Sequence, residues 1–303
     1  MSKLRILIGG GSGFVGKALT SSLRNQGHKV TIISTRASPS ALTWEDIKRD
    51  GLPTSTDAVI NLAGANILDL KKLWTSAYKE ECLSSRVDTT TLLARAISET
   101  DTPPSVWIST SAVGFYPPCT STNYDEASVV SDRDWASDLC ASIEEAAAIP
   151  DSNNQSHTTT RSVVMRTGVV FGKGGGAFQN MRLPFLFGLG GPFGSGSQWF
   201  PFVHLTDVVR AYEFAVTDPR PRGPLNLVAP HACTNLEFTN TLGAAMKRPT
   251  VIPVPRLLAT LIGQERAALL FDGQRVTPAA LTSLGFDFAY PDADSCCAEL
   301  VTS

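Results

Sequence analysis

The chain has 303 residues, 43 % of them hydrophobic, enough for one large domain or a domain with an appended lobe. Its 26 basic and 28 acidic side chains leave a net charge of −2, and the longest basic run is Lys71-Lys72, so neither a polyanion partner nor a nucleic-acid stripe is indicated. The six cysteines (82, 119, 140, 233, 296 and 297) include no C-x-x-C pair, which reads as reduced thiols in a reducing compartment rather than as zinc ligands or disulfides.

The apolar run beginning at Leu4 is broken by glycine at Gly9, too soon for a secretory signal or a membrane span. It reads instead as a first strand, "LRILIG" (4–9), in a cytoplasmic protein with no membrane partner, an organelle being the alternative compartment. "GFVGKALTSSLRNQG" (13–27) has helical spacing and a glycine stop. "KVTIIS" (29–34) and "DAVINLAG" (57–64) are strand-like, 77–98 is a long helix, and "SVWISTSA" (105–112) is another strand. A helix over about 134–148 and a strand "SVVMRTGVVFG" (162–172) follow. This alternation predicts a Rossmann-type, doubly wound parallel sheet covered by helices on both faces.

The second half changes character. "GKGGGAF" (172–178) and "FGLGGPFGSGSQWFPF" (187–202) combine glycine, proline and aromatics, as expected of loops beside a ligand cleft. A helix is expected over 204–218, and helix signals recur at 255–270, 277–284 and 293–301. The expected division is a nucleotide-binding domain over 1–250, with lobe insertions around 175–200, and a distinct C-terminal domain over 251–303.

"GGGSGFVG" (9–16) lies between the first strand and the first helix and contains G-x-x-G-x-x-G at Gly10, Gly13 and Gly16. Such a turn lets a pyrophosphate approach a helix N-terminus and lets helix and strand pack closely. The end of the second strand then selects the cofactor. "ISTRAS" (33–38) has no carboxylate for a ribose 2′-OH but offers Arg36 with Ser34 and Thr35, which suits the 2′-phosphate of NADP(H). Arg36 is otherwise a solvated loop residue.

With "NLAG" (61–64) and "ISTSAVGFY" (108–116), the glycine loop resembles that of the extended short-chain dehydrogenase/reductase superfamily. "SSRVDTT", "RTGVVFGKGGGA", "GGPFGSGSQWFPFVHLTD" and "QRVTPAALTSLGF" carry a closer resemblance, over nearly the whole chain, to its atypical subgroup of epimerase family proteins. The resemblance implies NADP(H) contacts at Gly10, Gly13, Phe14, Val15 and Gly16, at Ser34, Thr35 and Arg36, at Leu62 and Ala63, at Glu81 and Arg86, and at Val170. The subgroup's arginine usually follows directly on the Ser/Thr ending the second strand; here Thr35 stands there and Arg36 comes one place later.

Typical members of the superfamily use a strand-end Ser to orient the substrate, a Tyr to move the proton, and a Lys four residues on to lower the Tyr pKa. Ser111 matches the Ser. With Glu144 aligned, Ala136 takes the Tyr place and Cys140 the Lys place; shifting by one gives Trp135 and Leu139, which restores neither. Tyr116, on the loop after Ser111, is the remaining candidate acid or base, or else a packed aromatic. Cys140 is a weaker candidate, a helical cysteine being usually buried and inert. Ser195, Ser197 and Gln198 are hydrogen-bonding groups for a polar ligand. His204 and Asp207 are expected to anchor a helix start, Arg166 to be structural or near the cofactor edge, and Asp125-Glu126 to face solvent or pair. His28, His157 and His231 have no evident metal partners, so no metal is expected.

Two functions remain open. The leading one is an NADP(H)-dependent oxidoreductase or epimerase acting on a small polar substrate, a sugar nucleotide being one candidate, with Ser111 and Tyr116 as catalytic groups. The other is a non-enzymatic NADP(H)-binding sensor or regulator, favoured by the missing dyad. The glycine loop speaks against a scaffold without nucleotide. The sequence is silent on oligomeric state.

Overall fold

In a computed structural model, which describes residues 3–36, 41–69, 71–150 and 159–302, β1 (Arg5–Gly9) runs through the centre of the molecule. Strand alternation sends Ile6 and Ile8 to one face and Leu7 to the other. Ile6 and Ile8 meet Leu19 and Leu23 of α1 (Phe14–Asn25), whereas Leu7 joins a separate core with Ile33, on β2 (Lys29–Ser34). A short strand β3 (Ala41–Thr43) and helix α2 (Trp44–Asp50) come next. They were not expected, although the T-x-x-D spacing of Thr43 and Asp46 forms a reciprocal capping box at this helix start.

β4 (Ala58–Asn61), α3 (Ser76–Ser98) and β5 (Val106–Ala112) follow the expected order. The polar strand β6 (Cys119–Tyr124) was missed because its exposed residues show no apolar alternation. α4 (Trp135–Ala146) is capped by Asp134 and leads to β7 (Arg161–Thr167). The expected strand over 162–172 is two strands. At Gly168 a side chain would lie 2.5 Å from the Pro201 carbonyl oxygen. There the chain leaves the main sheet as β8 (Val169–Gly172), which pairs with β9 (Phe202–His204). The glycine-rich stretch after β8 is not wholly loop either, for α5 (Gly176–Leu186) begins inside it.

α6 (Leu205–Thr217) is where its periodicity placed it. β10 (Gly223–Leu227) and α7 (Asn235–Met246) were not anticipated; Thr234 and Glu237 form the capping box of α7. Beyond residue 250 come α8 (Ala259–Ile262), α9 (Gln264–Phe271), β11 (Gln274–Val276), α10 (Ala279–Ser283) and α11 (Ala293–Val301).

Among the described residues the main sheet has seven parallel strands in the order β10-β7-β5-β4-β1-β2-β3. The order reverses at β1, between β2 and β4, and the carboxyl ends of such strands form the binding crevice of doubly wound folds. A lobe built on Phe171, Phe178, Phe185, Phe202 and Phe238 lies beside it, closed by Cys296, Cys297 and Leu300 of α11. Leu281 of α10 joins the sheet's core, and β11 pairs with β6.

Candidate functional site

The crevice at the end of β1 is shaped by glycines. Gly10 has φ +73°, and a Cβ there would meet the Leu62 carbonyl at 2.7 Å. A Cβ on Gly16 would lie 2.2 Å from the Gly10 carbonyl oxygen, so the first turn of α1 rests directly on the turn below it. Gly13 is the N-cap, and no side chain caps this helix. The first-turn amides of Phe14, Val15 and Gly16 therefore have no intrahelical acceptor, and no acidic residue lies in that turn, the arrangement that receives a phosphate. The Phe14 ring itself packs on Gly172, Gly175 and Gly176, so only its backbone is presented to the crevice.

Around this turn, Asn61 accepts from the Ala63 amide and donates to Thr89 and Thr90, fixing the 61–64 corner. Arg86 packs against Gly64 and donates to the Cys82 carbonyl at 3.0 Å. Burial lowers its pKa, and the groups opposing that are Cys82, Cys140 and Tyr78 rather than any carboxylate. Glu81, by contrast, turns outward and binds Lys72 at 2.6 Å. Arg36 is exposed at the end of β2, its amide bonded to the Ser34 hydroxyl. Ala37 and Ser38 of the same segment lie outside the described residues, as does His157. Val170 pairs with Val203 at the lobe boundary.

Ser111, next to last in β5, is almost fully buried; its hydroxyl makes no hydrogen bond among the described residues but sits near enough to the Cys140 thiol to oppose that thiol's upward shift. Facing this strand end, α4 presents Ala136, Cys140 and Glu144 at four-residue spacing, one face of a helix. A Cβ on Gly114 would lie 3.5 Å from the Ala136 Cβ and 3.6 Å from the Cys140 Sγ. Burial pushes the Cys140 thiol up to about 11.

The expectation for Tyr116 needs correction. Its ring is 0 % exposed. Its hydroxyl accepts from Arg166 Nη1 at 2.8 Å and shares its own proton between Asn226 Oδ1 and the Asp125 carbonyl, both at 2.9 Å. Burial raises its pKa, with Arg166 pulling the other way. A phenol so enclosed does not meet a ligand. Arg166 is gripped by Glu144 in a two-pronged ion pair, 2.8 Å on each side, and lies 3.6 Å over the Phe115 ring.

Other readings also change. Asp207 accepts from the amides of Ala289 and Tyr290 and from the Arg210 guanidinium of its own helix; His204 caps α6 through Thr206 and bonds Glu299. Glu126 is not solvent-facing: it accepts from the Asn226 and Ala280 amides. His28 accepts from the Leu4 amide. Among the described residues no cluster of three His, Cys, Asp or Glu could hold a metal, and no helix is long and apolar enough to cross a membrane. All six cysteines are free.

Ser195 and Ser197 line an open cavity of about 660 Å³ with Phe193, Arg256 and Asp272; Gln198 spends its amide on the Phe193 and Leu270 carbonyls. Cys119, legible in the sequence only as one of six reduced thiols, opens onto the same cavity. Its Sγ lies 3.4 Å from the Ser121 hydroxyl and 3.3 Å from that of Thr122, which together bring its pKa down to about 6. Limited alkylation followed by peptide mass mapping should therefore label Cys119 first, with a rate rising through pH about 6, while Cys140, at about 11, stays unmodified. Equal labelling of the two in the folded protein would refute this.

A parallel, doubly wound sheet with a glycine cradle at its switch point and a strand-end Ser defines a short-chain dehydrogenase/reductase-type nucleotide fold. The chain belongs to the NAD dependent epimerase/dehydratase family, whose model matches residues 6–227; a second model, a domain of unknown function (DUF1731), matches 254–300. It is 42 % identical to the bovine (Bos taurus) epimerase family protein SDR39U1 over 98 % of this chain and 100 % of that protein. The crystal structure of human epimerase family protein SDR39U1 (isoform 2) with NADPH superposes with a TM-score of 0.94 at 41 % identity, covering 98 % of this chain and 99 % of the human one. The nucleoside-diphosphate sugar epimerase from Corynebacterium glutamicum superposes with a TM-score of 0.78 at 28 % identity, over 99 % of this chain and 58 % of that one.

Proposed function

We propose that this protein binds NADP(H) on the Gly10–Gly16 turn and works without the tyrosine–lysine proton relay of its superfamily. The observation that carries the reading is the pairing of an intact glycine cradle with Ala136 and Cys140 packed on Gly114 where the relay would stand. The amides of Phe14, Val15 and Gly16 would hold the pyrophosphate, and Ser34, Thr35 and Arg36 the 2′-phosphate. Leu62, Ala63, Arg86 and Val170 would line the remainder, with Glu81 at the outer edge of α3. When bound, the nicotinamide supplies hydride chemistry. The human relative solved with NADPH supports this choice of cofactor. The outcome is a cofactor-responsive binding protein.

A second reading, a reductase or epimerase for a small polar substrate, is favoured by one feature: the buried Ser111 hydroxyl without a partner, which a substrate oxygen would satisfy. In that case Ser111 orients the substrate and solvent supplies the proton.

Calorimetric titration with NADPH and NADH at matched salt tests the first reading. NADPH should bind saturably and roughly tenfold or more tighter than NADH, since charge-assisted phosphate pairs are worth more than about 1.4 kcal/mol. Equal affinities would remove the Arg36 contact, and binding of neither would overturn the proposal. Ser111→Ala, which should leave NADPH affinity intact, separates the two readings in any reaction that oxidises NADPH.

A further inference from the structure

The segment that leaves the carboxyl end of β4 is held from the far end of the chain. Arg266 of α9 is only 2 % exposed. Its Nε donates to the Ile67 carbonyl at 2.9 Å and its Nη1 to the Lys72 carbonyl at 2.8 Å. The guanidinium lies 4.5 Å from the Trp74 ring centre and 5.1 Å from that of Tyr78. Beside it, Glu265 accepts from the Trp74 indole N–H at 2.9 Å and pairs with Lys79. Gly263, the N-cap of α9, has φ +91°, and a Cβ there would stand 2.4 Å from Trp74 Cδ1. The segment's near end is fastened separately, by Ser85 to the Ala65 amide and by the Tyr78 hydroxyl to the Asn66 carbonyl. Trp74 in turn stands edge-on to Trp135, the first residue of α4, with ring centres 5.0 Å apart.

Two loop carbonyls and two ring faces receive the buried guanidinium, and its Nη2 has no hydrogen-bond partner among the described residues. Only a planar fork reaches both carbonyls while stacking on the aromatics; a lysine ammonium does not. The bonds also join groups 199 and 194 residues apart, so they fasten the C-terminal elements to the wall of the nucleotide crevice. That wall continues directly from Leu62 and Ala63 and abuts Arg86 at Gly64.

We infer that α9 is a positioning element for the nucleotide crevice: Arg266, seconded by Glu265, clasps residues 65–69 and 71–75 over the end of β4 and so sets how long a bound dinucleotide stays. The clasp gives a role to the C-terminal region whose family model carries no function. It rests on the proposed binding of NADP(H) in the crevice. Arg266 acts through the segment it holds and is not itself placed against the nucleotide.

The full-length protein is tested by stopped-flow displacement of NADPH with excess NADP⁺. Arg266→Ala should release NADPH roughly tenfold faster or more with the association rate changed by less than about threefold, the pattern of a lost clasp. Arg266→Lys, which keeps the charge and loses the fork, should behave like Arg266→Ala. Release at the wild-type rate from folded Arg266→Ala protein overturns the inference. Should Arg266→Ala fail to fold, Glu265→Gln leaves Arg266 in place and loosens the Trp74 and Lys79 anchors. It should then release NADPH roughly threefold faster, and an unchanged rate overturns the clasp. Hydrogen exchange on the ligand-free proteins separates a local from a global effect. In Arg266→Ala the amides of 65–69 and 71–75 should exchange roughly tenfold faster while β1 and β5 keep their protection. If wild-type protein binds no NADPH, the proposed function falls, and exchange alone judges the clasp: local acceleration supports it, and wild-type protection overturns it.

Discussion

Replacing Arg166 with alanine is expected to cost about 3–5 kcal/mol of stability, because it strands the Glu144 carboxylate in a buried site. The side chains of the pair are only 6 % and 15 % exposed. Arg166 also supplies the proton that the Tyr116 oxygen accepts and the cation stacked on Phe115. Its removal strands Glu144 outright and takes one of the three hydrogen bonds of Tyr116, whose hydroxyl stays tied to Asn226 on β10 and to the Asp125 carbonyl. The loss should therefore appear as a large drop in the urea midpoint with little change in its slope. A double change, Glu144→Leu with Arg166→Met, removes both charges and should recover most of it, as buried pairs replaced by apolar groups commonly do. A loss below about 1 kcal/mol for Arg166→Ala would mean that water reaches the pair and that the network does not brace the Ser111 end of β5.

The second large effect is expected at Gly16, and it contrasts with Gly13. A methyl group at Gly16 would lie 2.2 Å from the Gly10 carbonyl oxygen and 2.7 Å from the Gly11 Cα, both backbone atoms that have nowhere to go. Gly16→Ala must push α1 off the turn, costing about 3 kcal/mol and displacing the amides that would receive a phosphate, so NADPH affinity should fall roughly tenfold or more with it. At Gly13 the nearest atom is 3.3 Å away, and the backbone has an ordinary extended ψ. Gly13→Ala, with a tight contact rather than a clash and the loss of a glycine N-cap, should then lower the thermal midpoint much less than Gly16→Ala does, while its methyl intrudes where the nucleotide passes. Thermal unfolding and calorimetry on the two variants check both halves. Equal destabilisation by the two substitutions would contradict the packing argument, and full NADPH affinity in Gly13→Ala would move the nucleotide off this turn.

Much of the framework was legible in the chain itself. Ile6, Leu7 and Ile8 alternate as a strand does, Gly10 and Gly16 mark the turn, and the helix of α3 begins where its periodicity starts. These are local properties: backbone conformation and side-chain period are set within a few residues. That α4 contains neither Tyr nor Lys is likewise read from its own residues, Trp135–Ala146. Local signals also existed for elements that were overlooked, in the capping boxes Thr43–Asp46 and Thr234–Glu237.

Tertiary structure decided the rest. Tyr116 looked like a cleft residue because it follows Ser111 closely, yet its hydroxyl direction is chosen by Arg166, 50 residues on, and Asn226, 110 residues on. Nothing within the 162–172 run announces that β8 leaves the sheet for β9, because the partner strand lies elsewhere in the chain. The thiol of Cys119 acquires its acidity from how β6 turns two hydroxyls toward it. Arg266 reads as one basic residue in a helix until α9 is laid against Trp74. In this protein the sequence alone determined β1, α1, β2, β4, α3, β5 and the glycine turn after β1, because those depend on neighbours along the chain. The direction of Tyr116, the buried pair behind Ser111 and the clasp over β4 depend on which distant groups burial forces to satisfy one another, and only the folded molecule brings those groups together.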